Sequence, residues 1–261
     1  MNWRDFKMAL LAIDGNAKTV KGQKFGYLTG IMYLAPADNS EKINVCPMAE
    51  IAGCKKACLY SAGRGKFTNV QAGRLRKTLY FAEDYEGFMN ELASDINRLI
   101  NRAKKNDVIP LVRLNGTSDI IWERKEFTLN ESIAKRIKRP AGHYSNLMEL
   151  FPEVTFYDYT KIAGRFNDKL PKNYDLTFSY SGVESYQKQV EFALRKGARI
   201  AVVFRDDNYP VEFMGMKVIN GDMHDIRPTE PQGVIVGLYA KGDAKKDSTG
   251  FVVDTATAVL V

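Results

Sequence analysis

Residues Cys46–Gly65 read CPMAEIAGCKKACLYSAGRG, and they follow an aromatic, β-rich run at Phe25–Pro36, FGYLTGIMYLAP. Pro36 stops that run. A polar loop then delivers the chain to Cys46, and a helical stretch, Asn69–Phe81, comes after Gly65. Strand, cysteine loop, helix is therefore the unit from which the rest of the chain is read. All three cysteines lie inside it, spaced C-x7-C-x3-C at Cys46, Cys54 and Cys58. On a helical turn the thiols of Cys54 and Cys58 would share one face. Cys46 precedes a proline, which favours an extended approach, and Gly53 permits the bend that brings the first thiol to the other two.

Three converging thiolates without a fourth cysteine point to an inorganic centre closed by something else. An iron–sulfur cluster (4Fe-4S) with one iron left open meets that description. So does a zinc ion with His or Asp as fourth ligand. The chain has two histidines, His143 and His224, neither at ligand spacing from the cysteines, which favours the cluster. The plain alternative is three thiols buried as small hydrophobes. Their confinement to one glycine-containing loop argues against it.

Outward from this unit, the pattern keeps alternating. Tyr85–Lys105 carries Phe88, Leu92, Ile96, Leu99 and Ala103 at three- and four-residue steps, which predicts a helix with one apolar stripe. Strands are expected at Val108–Leu114, Val154–Tyr159, Asp175–Ser181 and Arg199–Phe204, with shorter ones at Lys217–Ile219 and Gly233–Leu238. Helices are expected at Glu131–Arg139 and Val183–Lys196. A short amphipathic start over residues 1–20 ends in a polar turn at Asp14–Asn16. This rhythm predicts an α/β fold, a partial (β/α) barrel with mostly parallel strands. No linker splits the chain, so residues 1–261 read as a single domain.

Hydrophobic residues make up 45% of the chain and charged residues 26%, as in ordinary globular proteins. No apolar run is long enough to span a bilayer, so no membrane partner is expected. The N-terminal apolar run has acidic neighbours and no small-residue cleavage site, so it does not read as a signal peptide. An odd, clustered set of cysteines argues for a reducing, cytoplasmic compartment. The net charge of +7 is compatible with a polyanionic partner, a nucleic acid or nucleotide.

In parallel α/β folds the chemistry gathers where strands end. Those ends here supply Arg113, Asn115, Ser118 and Asp119, then Tyr157, Asp158 and Lys161, then Tyr180, then Arg205. Arg64, between Gly63 and Gly65, joins them as an anion-binding candidate. His224, between Asp222 and Asp225, is a candidate proton carrier or fourth metal ligand, with Asp222 and Lys161 as further catalytic candidates. Lys66, and Arg74, Arg76 and Lys77 along the basic helix Asn69–Phe81, are candidates for phosphate contacts.

The cysteine stretch resembles the signature of the phage gene product 88 family. The likeness extends to GYLTGIMYLAP (Gly26–Pro36), RLNGTSDI (Arg113–Ile120), GDMHDIRP (Gly221–Pro228) and GVIVGLYAKG (Gly233–Gly242). It implies a phage origin and a host-cytoplasm location, and no particular reaction. The layout is also similar to radical S-adenosylmethionine enzymes, in which a cysteine loop follows the first strand and three thiolates hold a cluster. Their usual spacing is C-x3-C-x2-C, from which this chain departs. That likeness implies S-adenosylmethionine at the open iron and radical chemistry on a nucleic-acid-related substrate. The rival expectation is a nucleic-acid-binding or regulatory phage protein with a structural or sensory metal site.

Overall fold

The computed structural model describes residues 9–13, 15 and 17–258. Most of the amphipathic start, together with Asp14 and Asn16 of the expected turn, lies outside them.

β1 (Leu11–Ile13) and α1 (Ala17–Gln23) lead into β2 (Tyr27–Met32). The cysteine loop follows, then α2 (Thr68–Glu83), α3 (Tyr85–Lys105) and β3 (Ile109–Arg113). Next come β4 (Phe127–Leu129), α4 (Glu131–Ile137), β5 (Gly142–Tyr144), α5 (Leu147–Leu150), β6 (Thr155–Thr160) and β7 (Tyr174–Ser179). The chain closes with α6 (Gln187–Arg195), β8 (Ile200–Phe204), β9 (Glu212–Phe213), β10 (Met216–Asn220), β11 (Ile235–Tyr239) and α7 (Thr255–Ala258). The main sheet has nine strands in the order β1-β2-β3-β6-β7-β8-β11-β10-β9, and β4 pairs with β5 in a separate hairpin. From β2 to β10 every pairing is parallel, while β1 and β9 are antiparallel edges. The expected α/β class with mostly parallel strands therefore holds. The sheet is open: its described strands start and stop at those two edges and form no closed barrel.

The two faces of the sheet differ in chemistry. Val112, Phe156 and Leu176 point to one face and join the α3 stripe of Phe88, Leu92, Ile96 and Leu99 in the largest apolar core. Asp84 caps that helix, accepting a hydrogen bond from the Gly87 amide. Farther along the same face, Phe178, Ile200 and Val202 pack on Tyr186, Val190 and Ala193. Side chains alternate along a strand, so Leu111, Arg113, Tyr157 and Tyr159 face the other way. There they meet the connection between β10 and β11, whose Ile226 packs on Leu111 and Tyr157. Parallel neighbours need a crossover. This one crosses the sheet as an irregular segment, residues 221–234, instead of a helix. At the far end of the sheet Lys18 of α1 donates to the Gly221 carbonyl and pairs with Asp222 at 2.6 Å.

Candidate functional site

The cysteine loop is built of turns, not of the helical turn expected for Cys54 and Cys58. Short-range bonds define it: the amide of Ala49 donates to the Cys46 carbonyl, and that of Ala52 to the Met48 carbonyl. Gly53 takes a left-handed φ of 65°. A Cβ there would lie 2.6 Å from Thr249 Oγ1, so the turn needs glycine for both conformation and space.

The loop lies across the C-terminal strand ends and is pinned to several of them. Past β3, the Asp119 amide donates to the Val45 carbonyl at 2.7 Å, and the Cys46 thiol donates to the Thr117 carbonyl at 3.6 Å. Past β7, Ser181 Oγ donates to the Ala52 carbonyl and Ser185 Oγ to the Ile51 carbonyl. Past β11, the Asp243 amide donates to Ser61 Oγ, and Thr249 Oγ1 to the Gly53 carbonyl.

All three cysteines are free thiols and half-buried. Burial pushes the Cys46 thiol up to about 12; the negative charges of Cys58, Asp119 and Cys54 add to this, against one backbone bond from Ala37. Cys54 is raised by burial and by Asp119, with Lys161 acting in the opposite sense. Cys58 is raised by burial and by Cys54, with the Tyr60 backbone and Arg74 opposing. The three sulfurs thus act on one another, and two cations, Lys161 and Arg74, act on them. No group of three or more His, Cys, Asp or Glu side chains among the described residues is arranged to hold a metal ion.

Behind the thiols, Asp119 is buried and its carboxylate accepts from Thr160 Oγ1 and from the Lys161 amide, each at 2.8 Å. Arg165 Nη1 lies 3.5 Å from it. Lys161 Nζ is buried, donates to the Ser179 and Tyr180 carbonyls at 3.2 Å, and sits over the Phe251 and Tyr186 rings. Burial lowers its pKa, against Cys54 and Asp119. Asn115 Oδ1 accepts from Ser118 Oγ, from the Ile120 amide and from Trp122 Nε1. Asn115 and Ser118 are therefore spent shaping the loop that presents Thr117 and Asp119. Tyr180 packs edge-on against Phe213, and Arg205 donates to the Lys245 and Asp247 carbonyls, holding the 242–247 turn near Ser61.

Arg113 and Tyr157 are engaged elsewhere. Asp225 accepts from Arg113 Nη1 at 3.0 Å, Tyr157 OH at 3.2 Å and Tyr159 OH at 3.1 Å. Burial works to raise the Asp225 pKa, yet Arg113 and Arg227 hold it below the ordinary carboxylate range. The site candidates of the 221–225 segment have partners of their own. Asp222 accepts from Tyr209 OH, the Tyr239 amide and Lys241, besides pairing with Lys18, so it is held ionised and fully occupied. His224 packs on Phe25, ahead of β2 at the opposite end of the sheet from the cysteine loop. Its Nδ1 accepts from the Ile226 amide, and burial together with Arg227 lowers its pKa.

Of the basic candidates, Arg64 and Lys66 are exposed. Lys77 Nζ donates to the Leu10 carbonyl, and burial with Arg74 nearby lowers its pKa to about 8. Arg74 is drawn inside and Arg76 is half-buried. These residues therefore do not make one solvent-facing stripe on α2.

Several site residues escaped the sequence reading. Tyr33 continues the alternation of Tyr27, Thr29 and Ile31 and is predictable from it. Arg165, which chelates Glu123 through Nε and Nη2, sits in a glycine-containing turn that carries no such signal. Asp158, a strand-end candidate of the sequence, lies on the helix face, accepting from the Asn115 amide at 2.6 Å and Tyr174 OH at 2.8 Å.

Asp158 yields a pH prediction. Burial pushes its carboxyl up to about 7, against the pull of those two donors. The ordinary carboxylate value is about 4, so the folded protein holds this proton longer than the unfolded chain does. The stability it contributes is complete below about pH 4 and is lost as the pH rises through about 7. Asp158→Asn removes the titration. Its urea midpoint should gain on wild type from pH 5 to pH 8; parallel curves for the two proteins would contradict the assignment.

A family model described as Gene product 88 matches residues 8–255 of the chain. No curated protein matches it, and no solved structure matches it. No helix among the described residues is long and apolar enough to cross a membrane.

Proposed function

The chain belongs to the phage Gene product 88 family, and from that premise we propose that it is an iron–sulfur protein whose cluster rests on Cys46, Cys54 and Cys58 with one iron left open. One observation carries the reading: a single loop brings all three thiols over the C-terminal strand ends, where Cys58 and Cys54 act on Cys46, Cys54 acts on Cys58, Lys161 acts on Cys54 and Arg74 acts on Cys58. Buried thiols with raised pKa values stay protonated until a metal takes the place of the proton. Lys161 beside Cys54 suits the negative charge that metal-bound thiolates introduce.

The donor set fits a cluster better than it fits zinc. A structural zinc ion needs a fourth protein ligand, and neither His143 nor His224 stands at ligand spacing from the cysteines. A four-iron cluster puts each thiolate on a different iron and so holds them farther apart. Zinc is kept as the alternative metal.

The finer fold reading belongs to the same proposal. The run of parallel strands from β2 to β8, taken in chain order, with Lys18 tied to Asp222, supports a partial barrel whose open end is covered by the cysteine loop. When bound, the cluster would supply one-electron transfer or a Lewis-acidic iron at its open corner. S-adenosylmethionine is the proposed ligand for that corner, and a nucleic-acid-related molecule the proposed substrate. The protein's own parts have separate tasks. Asp119 and Arg165 fix the 115–122 loop against Cys46. Lys161 sets the charge at Cys54. Asp225 locks the crossover so that the other end of the sheet is filled. The net charge of +7 and the exposed Arg64 and Lys66 support a polyanionic substrate or partner.

The test is the visible absorption of protein purified without oxygen, with and without S-adenosylmethionine. The expected result is a brown protein with a broad band near 400 nm, about the usual position for such clusters, that changes when S-adenosylmethionine is added. A colourless protein that carries zinc would remove the cluster.

A further inference from the structure

Arg74 is a buried cation with no carboxylate partner among the described residues. It is 8% exposed, and its guanidinium carbon lies 4.8 Å from the Tyr33 ring centre and 5.5 Å from that of Tyr60. Its Nε and Nη1 are buried without any hydrogen-bond acceptor. Its Nη2 abuts the turn that follows Cys58: a Cβ on Gly65 would lie 3.2 Å from it and 2.8 Å from the Tyr60 carbonyl. The other deeply buried arginines are neutralised. Arg165 pairs with Glu123, Arg199 with Asp175, and Arg227 with Glu230. A buried charge is costly unless it is paired and hydrogen-bonded. The groups whose charge bears on it are Tyr33, Cys58 and Tyr60; none of them is an anion while it keeps its proton, so the missing partner of Arg74 is an anion supplied from outside the described side chains.

We propose that Arg74 binds the carboxylate of a small molecule that docks beside Cys58. The inference rests on reading the cysteine loop as the ligand-binding end of the sheet, and it does not require that a metal be bound there. Charge selects the ligand class. One uncompensated guanidinium neutralises one carboxylate, whereas a dianionic phosphate monoester would leave a second charge buried without a partner. Lys161 is not available to meet that second charge, because its ammonium is spent on the Ser179 and Tyr180 carbonyls. The Tyr33 and Tyr60 rings lie against the guanidinium, and its Nε and Nη1 hydrogens are the ones that lack an acceptor. Gly65 keeps the turn close enough for Arg74 to reach this place.

The test is calorimetric titration of the full chain, metal-free under reductant and again after iron and sulfide reconstitution. The probes are L-methionine, S-adenosylmethionine, L-methioninamide and inorganic phosphate. L-methionine or S-adenosylmethionine should bind, and Arg74→Gln should weaken that binding about tenfold or more, the loss of one charge-assisted pair. Arg74→Lys should keep part of it. L-methioninamide should bind wild type about tenfold or more weakly than L-methionine; this comparison needs no variant and stands if Arg74→Gln does not fold. Binding of both carboxylates identifies an amino-acid ligand, and binding of S-adenosylmethionine alone identifies its sulfonium nucleoside form. The proposal is overturned if no carboxylate probe binds either preparation, if phosphate binds more tightly, or if folded Arg74→Gln binds as wild type does. Iron content of the same samples reports separately on the cluster. Carboxylate binding to a chain that never takes up iron would keep this site and remove the cluster.

Discussion

Replacing Cys46, Cys54 or Cys58 singly by alanine should lower the iron of anaerobically reconstituted protein from about four atoms per chain to below about one. The three sites are not equivalent before loading, but they are equivalent in need. Each thiolate supplies one corner, and with three protein ligands and a fourth corner already open, losing one leaves two iron corners unheld. Burial pushes the Cys46 thiol up to about 12 and raises Cys54 and Cys58 as well. Uptake should therefore be faster at pH 8.5 than at pH 6.5, since every bound thiol must release a proton. Full iron retention by Cys46→Ala would show that Cys46 is a packed core thiol and not a ligand. Iron and acid-labile sulfide analysis reads the result directly.

Asp225→Ala should destabilise the fold by about 3–5 kcal/mol, the range for removing one partner of a buried ion pair. Asp225 is the acceptor on which Arg113, Tyr157 and Tyr159 converge, and Arg227 Nε lies 3.8 Å away. Its removal would leave Arg113 buried without a countercharge and two tyrosine hydroxyls without their acceptor. The crossover through Ile226 would also lose its attachment to the sheet. Asp225→Asn keeps the shape and part of the hydrogen bonding, so it should cost less than alanine. Urea unfolding measures both variants. An alanine variant as stable as wild type would mean that the crossover is held by Ile226 packing alone.

How far these features could be read in advance depends on where the polar groups go. α3 was legible to the residue at both ends, because its apolar steps and its Asp84 cap are local signals. β8 was legible because a strand buried in a parallel sheet is continuously apolar. β1, β9 and the β4–β5 hairpin were not, since strands of three residues or fewer carry too little pattern. The 221–234 crossover was misleading for a different reason. GDMHDIRP reads as a surface loop, yet its polar groups find partners inside the fold: Asp225 in Arg113, Tyr157 and Tyr159, and Asp222 in Tyr209, Lys241 and Lys18. The bonds of Asp222 to Tyr209, Tyr239 and Lys241, and that of the Ile226 amide to His224, could not be read from the sequence. Asn115 and Ser118 were found at the right strand end, and their side chains turn out to be spent within their own loop. The cysteine cluster was the clearest signal, but its geometry was not: the loop is made of turns, pinned by Ser181, Ser185 and Thr249 far along the chain. Arg74 looked like one of a basic stripe, and only the fold shows it enclosed by Tyr33 and Tyr60 beside Cys58.

The central claim is that three sulfurs gather on one inorganic group. Its most direct test is thiol counting in oxygen-free protein alongside iron and sulfide analysis. The account predicts about four irons and about four sulfides per chain, with all three cysteines protected from alkylation until a chelator strips the metal. Three thiols that alkylate independently in a native protein, with no iron or zinc recovered under any reconstitution, would contradict it.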